Sequence, residues 1–283
     1  MVVLVTGASG QLGQALQFIA KKVDTIRFVF MSSSELNITD TANCDFVFSQ
    51  TKPDYCINAA AYTAVDKAES EFEKAFNVNV TGAKNLAETC KKYQTKLIHI
   101  STDFVFDGLK TTPYTEEDIP NPTGVYGQTK LDGETAIRNI LPQHFIIRTS
   151  WVYSQFANNF MKTMIRLGSE RSELNVVNDQ IGTPTQAVDL AEALVAIIRK
   201  NRENAYGIYH FSNEGQCSWF DFAKKIFEIN KIEIALHPIP TAAYPTPAKR
   251  PAYSVLDKSK IKEIFDITID DWQSALAKAT ING

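Results

Sequence analysis

Val2-Val3-Leu4-Val5-Thr6-Gly7-Ala8-Ser9-Gly10-Gln11-Leu12-Gly13 joins a short β-branched run to a glycine turn and then to a segment of helical period, and its reading decides the fold. The glycines stand at G-x-x-G-x-x-G spacing, directly after a strand and at the opening of a helix, which is the context that gives such a pattern meaning. Gly7 allows the sharp turn, Gly10 lets backbone approach a pyrophosphate, and Gly13 lets helix and strand pack closely. The helix N-terminus adds unpaired N–H groups and positive potential, so a dinucleotide is the expected ligand. A glycine turn that binds nothing has the same residues; placement between strand and helix is what separates the two readings.

Further along, Arg27 to Met31, Tyr55 to Asn58, Lys96 to Ile100 and Phe145 to Arg148 read as strands like Val2 to Val5, and helices are predicted over 11–20, 40–51, 66–92 and 124–139. Such alternation gives parallel strands joined by helical crossovers. The fold class is therefore α/β, a Rossmann-like doubly wound parallel sheet with a smaller C-terminal substrate-binding subdomain. We place the dinucleotide-binding domain at 1–150 and the subdomain at 151–283, packed on the first, with part of this second segment returning to it. The second part carries predicted helices near 157–168, 185–201 and 218–229, a strand around Gly207 to Phe211, a capping box at Ser218 with Asp221, and a proline-rich stretch from His237 to Pro251. Ligands of open α/β sheets bind beyond the carboxyl ends of the strands, the edge that such a subdomain would cover.

Composition narrows the partners. The 283 residues are 44% hydrophobic and 22% charged, as in an ordinary globular protein, and 29 basic against 32 acidic residues leave a net charge of -3 without a basic stripe. Neither nucleic acid nor an anionic membrane is an expected partner. Cys44, Cys56, Cys90 and Cys217 are scattered and lack zinc-ligand spacing, so they read as reduced, and no metal site is expected. The first residues lack a charged leader and a long apolar run, and no segment reaches membrane-spanning length; the expected location is the cytoplasm.

Tyr126-Gly127-Gln128-Thr129-Lys130 opens the helix predicted over 124–139, and a separation of four residues puts both side chains on one face. A free phenol near pKa ~10 is a poor acid at neutral pH, and a neighbouring ammonium is expected to lower that value. An exposed helix pair has the same spacing; a dinucleotide loop upstream makes it specific. Thr102 falls just past the strand at Lys96 to Ile100, where its hydroxyl could meet a substrate carbonyl or the phenol; a local turn held by Asp103 is the alternative. Together Thr102, Tyr126 and Lys130 suit a carbonyl reductase, in which nicotinamide delivers hydride and the phenol protonates the oxygen. At the end of the second strand, Ser32-Ser33-Ser34 offers small hydroxyls and no acid before Glu35, which leaves NADPH allowed and NADH not excluded.

These residues resemble the extended short-chain dehydrogenases/reductases and, among them, the dTDP-4-dehydrorhamnose reductase family. Besides the glycine loop, the resemblance is carried by Asn58 to Glu69 (NAAAYTAVDKAE), Ser101 to Gly108 (STDFVFDG), Arg148 to Tyr153 (RTSWVY) and Asp179 to Thr185 (DQIGTPT). It implies reduction of the C4 ketone of dTDP-4-dehydro-6-deoxy-L-mannose, the last step of dTDP-rhamnose biosynthesis, by a monomer or homodimer. It also implies that Gly10, Gln11 and Leu12 meet the pyrophosphate, Ile38 the adenine, and Ala61, Tyr62, Thr63 and Ile100 the nicotinamide side, with Lys130 on the ribose. Thr102, Asp103, Tyr126 and Trp151 would meet the sugar, and Asn158, Asn159, Gln180 and Arg250 the nucleotide. The chain departs from relatives at Asn37, where aspartate is common, and at Tyr253, where asparagine is. Some relatives dimerise through a magnesium ion held partly by an acid on the first helix, where this chain has Ala15.

Two rivals share the scaffold. Nucleotide-sugar dehydratases and epimerases use the same tyrosine and lysine, but dehydratases need Thr-Asp-Glu after the strand, and Phe104 takes the glutamate's place here. A non-catalytic regulatory subunit, as in methionine adenosyltransferase, would have no use for the complete Thr102, Tyr126 and Lys130 set.

Overall fold

In the computed structural model, which describes residues 1–202 and 204–281, β1 (Val2–Thr6) buries Val3 and Val5 in one core and Leu4 in another. The same division recurs in β3 (Tyr55–Asn58), with Ile57 against Cys56, and in β5 (His144–Thr149), with Phe145 and Ile147 against Ile146. Strands buried on both faces belong to a parallel sheet covered by helices. With β2 (Arg27–Met31), β4 (Lys96–Thr102) and β10 (Gly207–His210) they form a six-stranded parallel sheet in the order β10-β5-β4-β3-β1-β2. One face is covered by α1 (Gln11–Ala20), α8 (Ala187–Lys200) and α10 (Ser259–Phe265), the other by α2 (Thr41–Thr51), α5 (Gly82–Tyr93) and α6 (Val125–Ile140). β1 lies between β2 and β3, so the strand order reverses there and a crevice opens beyond the carboxyl ends of β1 and β3. Ala15 is fully buried in the core that α1 shares with α8.

The single helix expected over 66–92 is broken. α3 (Val65–Ala68) ends at Glu69, α4 (Phe72–Phe76) follows, and a π turn over Asn77–Thr81 leads into α5. The acids at the break are held by tertiary bonds: Glu69 accepts from Val125 N at 2.9 Å and Glu71 from the Tyr62 hydroxyl at 2.8 Å. The wider π turn carries the buried Asn79, whose amide is bonded on both sides.

Beyond Thr149 the chain contributes to both halves. α8 and β10 belong to the sheet layer, whereas α7 (Phe160–Glu170), α9 (Trp219–Asn230) and α11 (Trp272–Ile281) share a third core with β7 (Glu173–Val177), which pairs with β12 (Ala235–Ile239). α7 starts later than predicted because Asn159 caps it, accepting from Lys162 N at 3.1 Å. The Ser218–Asp221 capping box is present on α9. β12 falls partly in the proline-rich stretch and tolerates Pro238 because it pairs on one side only. The two-residue strands β6 (Val152–Tyr153), β8 (Ile181–Gly182), β9 (Thr185–Gln186) and β11 (Cys217–Ser218) are too short to show a period. Among the described residues no helix is long and apolar enough to cross a membrane.

Candidate active site

The glycine loop closes the bottom of the crevice. Gly7 has φ +66°, and a methyl on it would lie 2.7 Å from Ala59 C and Ala60 N; one on Gly13 would lie 2.4 Å from Gly7 O. Only hydrogen side chains let the β1 turn, the β3 exit and α1 meet this closely. α1 has no side-chain cap and no acid in its first turn, so its leading N–H groups face the crevice without an internal anion. Leu12 is buried behind them. The Gln11 amide donates to Val152 O at 3.1 Å and accepts from Ser154 Oγ at 3.0 Å, so what this residue offers a phosphate is backbone.

Thr102 ends β4 and caps the short turn that follows, accepting from Phe104 N and bonding Asp103 Oδ1, both at 3.1 Å. Its hydroxyl also acts on the Tyr126 phenol, in the first turn of α6. Lys130, one turn on, is 2% exposed; its Nζ donates to Ile100 O at 2.7 Å and lies 3.3 Å from His99 Nε2. Ile100 thus serves through its carbonyl. Burial pushes the Tyr126 phenol up to about 12, with the Thr102 bond opposing and Asp103 adding to the rise. The expected lowering by Lys130 is not seen, because the ammonium is turned to Ile100 and His99. Burial also brings Lys130 down to about 8, against the pull of Glu134. Asp103 is raised to about 6 by burial, opposed by bonds with Ser254 and Thr102, and its Oδ2 has no partner among the described residues.

Other expected residues lie around this centre. Ala61, Tyr62 and Thr63 follow β3 along the crevice, with Tyr62 N and O both bonded to the Asn79 side chain. Asn79 also donates to Thr129, between Tyr126 and Lys130, and so joins the β3 exit to α6. Ile38 is a core residue, buried against α5 with its carbonyl accepting from Asn85; any adenine contact there is with backbone. Trp151, at φ +46°, stacks on Trp219 at 3.6 Å, so one indole face expected to meet a sugar is covered. Glu35 folds back onto Ser32 N and Oγ at 2.7 Å each, so a carboxylate does stand at the end of β2.

A cavity of ≈ 380 Å³ between α7, β7 and the 244–250 segment is lined by Phe160, Met164, Arg171, Gln180, Trp219 and Arg250 among others. Gln180 donates to Thr241 Oγ1 at 3.0 Å. The guanidinium of Arg250, expected to meet the nucleotide, is bidentate on Asp66, at 2.9 and 2.7 Å, and holds that carboxyl below the usual range. Asn158 is exposed and does not line the cavity, and Asn159 is the helix cap. Sequence reasoning missed Asp66, Glu69, Asn79 and His99 as site-building residues. The signal available was that polar side chains sat in segments of buried period.

The family described as RmlD substrate binding domain matches residues 1–282. A dTDP-4-dehydrorhamnose reductase of Aggregatibacter actinomycetemcomitans is 45% identical over 285 residues, covering 96% of each chain. The crystal structure of a dTDP-4-dehydrorhamnose reductase from Clostridium acetobutylicum has a TM-score of 0.95 at 41% identity and covers 100% of this chain and 99% of that one. That of a dTDP-4-dehydrorhamnose reductase from Bacillus anthracis in complex with NADP has a TM-score of 0.95 at 38% identity, with the same coverage.

Proposed function

The chain belongs to the RmlD substrate binding domain family, and from that premise we propose that it catalyses the NADPH-dependent reduction of the C4 ketone of dTDP-4-dehydro-6-deoxy-L-mannose to dTDP-L-rhamnose, the last step of dTDP-rhamnose biosynthesis. The observation that carries the reading is the meeting of Thr102, Tyr126 and Lys130 at the end of β4, beside a glycine loop too close-packed for any side chain. The relative solved with NADP supports the cofactor, and the uncapped first turn of α1 suits its pyrophosphate.

Reduced nicotinamide supplies the hydride when bound. Tyr126 donates the proton: at about 12 the phenol is uncharged at neutral pH, yet it remains a stronger acid than the sugar alcohol it helps to form. Lys130, at about 8, is mainly ammonium at neutral pH; turned to Ile100 and His99, it would hold the nicotinamide ribose with its remaining donor and not act on the phenol directly. Thr102 orients the phenol and the ketone. Phe104, edge-on to Tyr126 with ring centres 5.6 Å apart, puts hydrocarbon where a dehydratase needs its second acid, so reduction is favoured over elimination. Asp103 and Trp151 meet the sugar, and Gln180 and Arg250 serve the nucleotide in the cavity they line. Four free, buried cysteines suit a reducing cytoplasm, where the enzyme acts as a monomer or homodimer.

Incubation with the 4-keto sugar nucleotide and NADPH, with NADH in parallel, should consume the reduced nicotinamide; no turnover with either would refute the reading. Tyr126→Phe should lower kcat ~10²–10⁴-fold while leaving NADPH affinity nearly unchanged. Near-wild-type turnover in that variant would remove Tyr126 from the acid role.

A further inference from the structure

The position of Lys130 depends on a buried chain of side chains that the mechanism above does not use. His99 Nε2 lies 3.3 Å from Lys130 Nζ, and the other ring nitrogen, Nδ1, lies 3.0 Å from the Asn58 amide. Asn58 in turn lies 2.7 Å from the Thr6 hydroxyl, and the Ala60 N–H is 3.2 Å from both Thr6 Oγ1 and Asn58 Oδ1. His99 and Asn58 are each 1% exposed and Thr6 is fully buried. The chain crosses β4, β3 and β1 and ends on the backbone that leads into the Gly7 turn and the Ala61–Thr63 segment.

Three groups bear on this histidine. Burial pushes it well below the ordinary histidine value, and Lys130 from α6 and His144 from β5 act in the same direction. The ring is therefore neutral at physiological pH, with one nitrogen donating and the other accepting. Opposite an ammonium, Nε2 must accept, so Nδ1 carries the hydrogen and donates to the Asn58 amide oxygen. The amide nitrogen then donates to Thr6 Oγ1, which also takes the Ala60 N–H. Opposite a neutral amine the polarity can reverse, with the Asn58 nitrogen donating to Nδ1 and its oxygen accepting from Thr6 and Ala60. The second direction is the one seen, with Asn58 Nδ2 facing Nδ1 and Oδ1 accepting from the Thr6 hydroxyl and Ala60 N; the first turns the Asn58 amide over and leaves the Thr6 hydroxyl hydrogen without an acceptor in the chain.

An ammonium has three donors. Ile100 O fixes one and His99 the second, which leaves one for the cofactor. We propose that His99 is a positioning residue for Lys130: its neutral imidazole, oriented by Asn58 and Thr6, accepts the lysine's hydrogen bond and keeps one ammonium donor directed at the nicotinamide ribose. The destination of that donor rests on the functional reading above; the hydrogen-bond chain does not.

The kinetic test compares kcat against pH for the wild type, His99→Leu and His99→Gln. Leucine removes an acceptor from the ammonium, whose remaining charged neighbour of note is Glu134 on α6, so the alkaline limb of the profile should move about one pH unit towards acid, and kcat should fall about threefold at about pH 7.5 and nearly tenfold above about pH 9. Glutamine can accept through its amide oxygen and should restore the limb. A leucine variant that loses kcat with the limb unmoved, or a glutamine variant as impaired as leucine, would overturn the proposal. Nitrogen-15 NMR of histidine-labelled wild-type protein needs neither variant nor substrate: at about pH 6.5, well below the Lys130 titration, Nε2 of His99 should be unprotonated, and a protonated Nε2 would overturn the chain. If the wild type fails to reduce the ketone, the functional reading falls while these nitrogen signals still decide the hydrogen-bond chain.

Discussion

Replacing Lys130 with methionine should flatten the alkaline pH dependence of stability. Burial brings the lysine from 10.5 to about 8, so between those values the native protein holds fewer protons than the unfolded chain, and stability rises with pH across that window. The full penalty is present below about pH 8 and is gone once the unfolded lysine also loses its proton. The gap at ~1.36 kcal/mol per pH unit gives about 3 kcal/mol, and because the side chain is 2% exposed there is no solvent screening to discount. Methionine leaves Ile100 O and His99 without the lysine's hydrogen bonds, a loss of ~1–3 kcal/mol that is similar at both ends of the window and largely cancels. Urea unfolding followed by tryptophan fluorescence at pH 7 and 10.5 should therefore show wild type gaining about 3 kcal/mol relative to Lys130→Met. Parallel pH dependences in the two proteins would refute the burial argument. The same substitution should abolish most turnover, so the charge that penalises folding is the one the chemistry requires.

Gly13→Ala would place a methyl 2.4 Å from Gly7 O and 2.6 Å from Ala8 Cα, both backbone, so the loop must shift. Stability should fall by ~1–3 kcal/mol, and calorimetry should show NADPH affinity at least ~10-fold weaker through the displaced helix terminus; unchanged affinity would show that the loop does not cradle the cofactor. Glu134→Ala leaves the Arg148 guanidinium, 1% exposed and bonded to Glu134 at 3.0 and 2.7 Å, buried without its carboxylate. Denaturant midpoints should report a loss of ~3–5 kcal/mol, and a loss under ~1 kcal/mol would mean that water reaches the arginine.

The parts of this protein legible in its sequence are those written in local patterns. The glycine loop, the strands at Arg27–Met31 and Tyr55–Asn58 and the helix carrying Tyr126 and Lys130 are each set by spacing within a dozen residues, and the structure has them at or within a residue or two of the predicted bounds. The break in 66–92 was not legible, because glutamates are good helix formers and nothing local shows that Glu69 binds Val125 N, 56 residues on, or that Glu71 takes the Tyr62 hydroxyl. The pairing of Arg250 was not legible for the same reason: its partner Asp66 lies 184 residues away.

That partnership has a consequence for how the two halves act together. One short segment, 62–71, bonds Arg250 through Asp66, the N-terminus of α6 through Glu69, and its own Tyr62 through Glu71. Val125 N, which Glu69 holds, is adjacent to Tyr126, and Gly124 at the cap supplies no side chain to do the same work. A ligand drawing on Arg250 would therefore pull against the same segment that sets the entry of α6. The cavity wall at Arg250 and the entry of α6 are thus tied through one segment, in which α3 and α4 stand as short pieces.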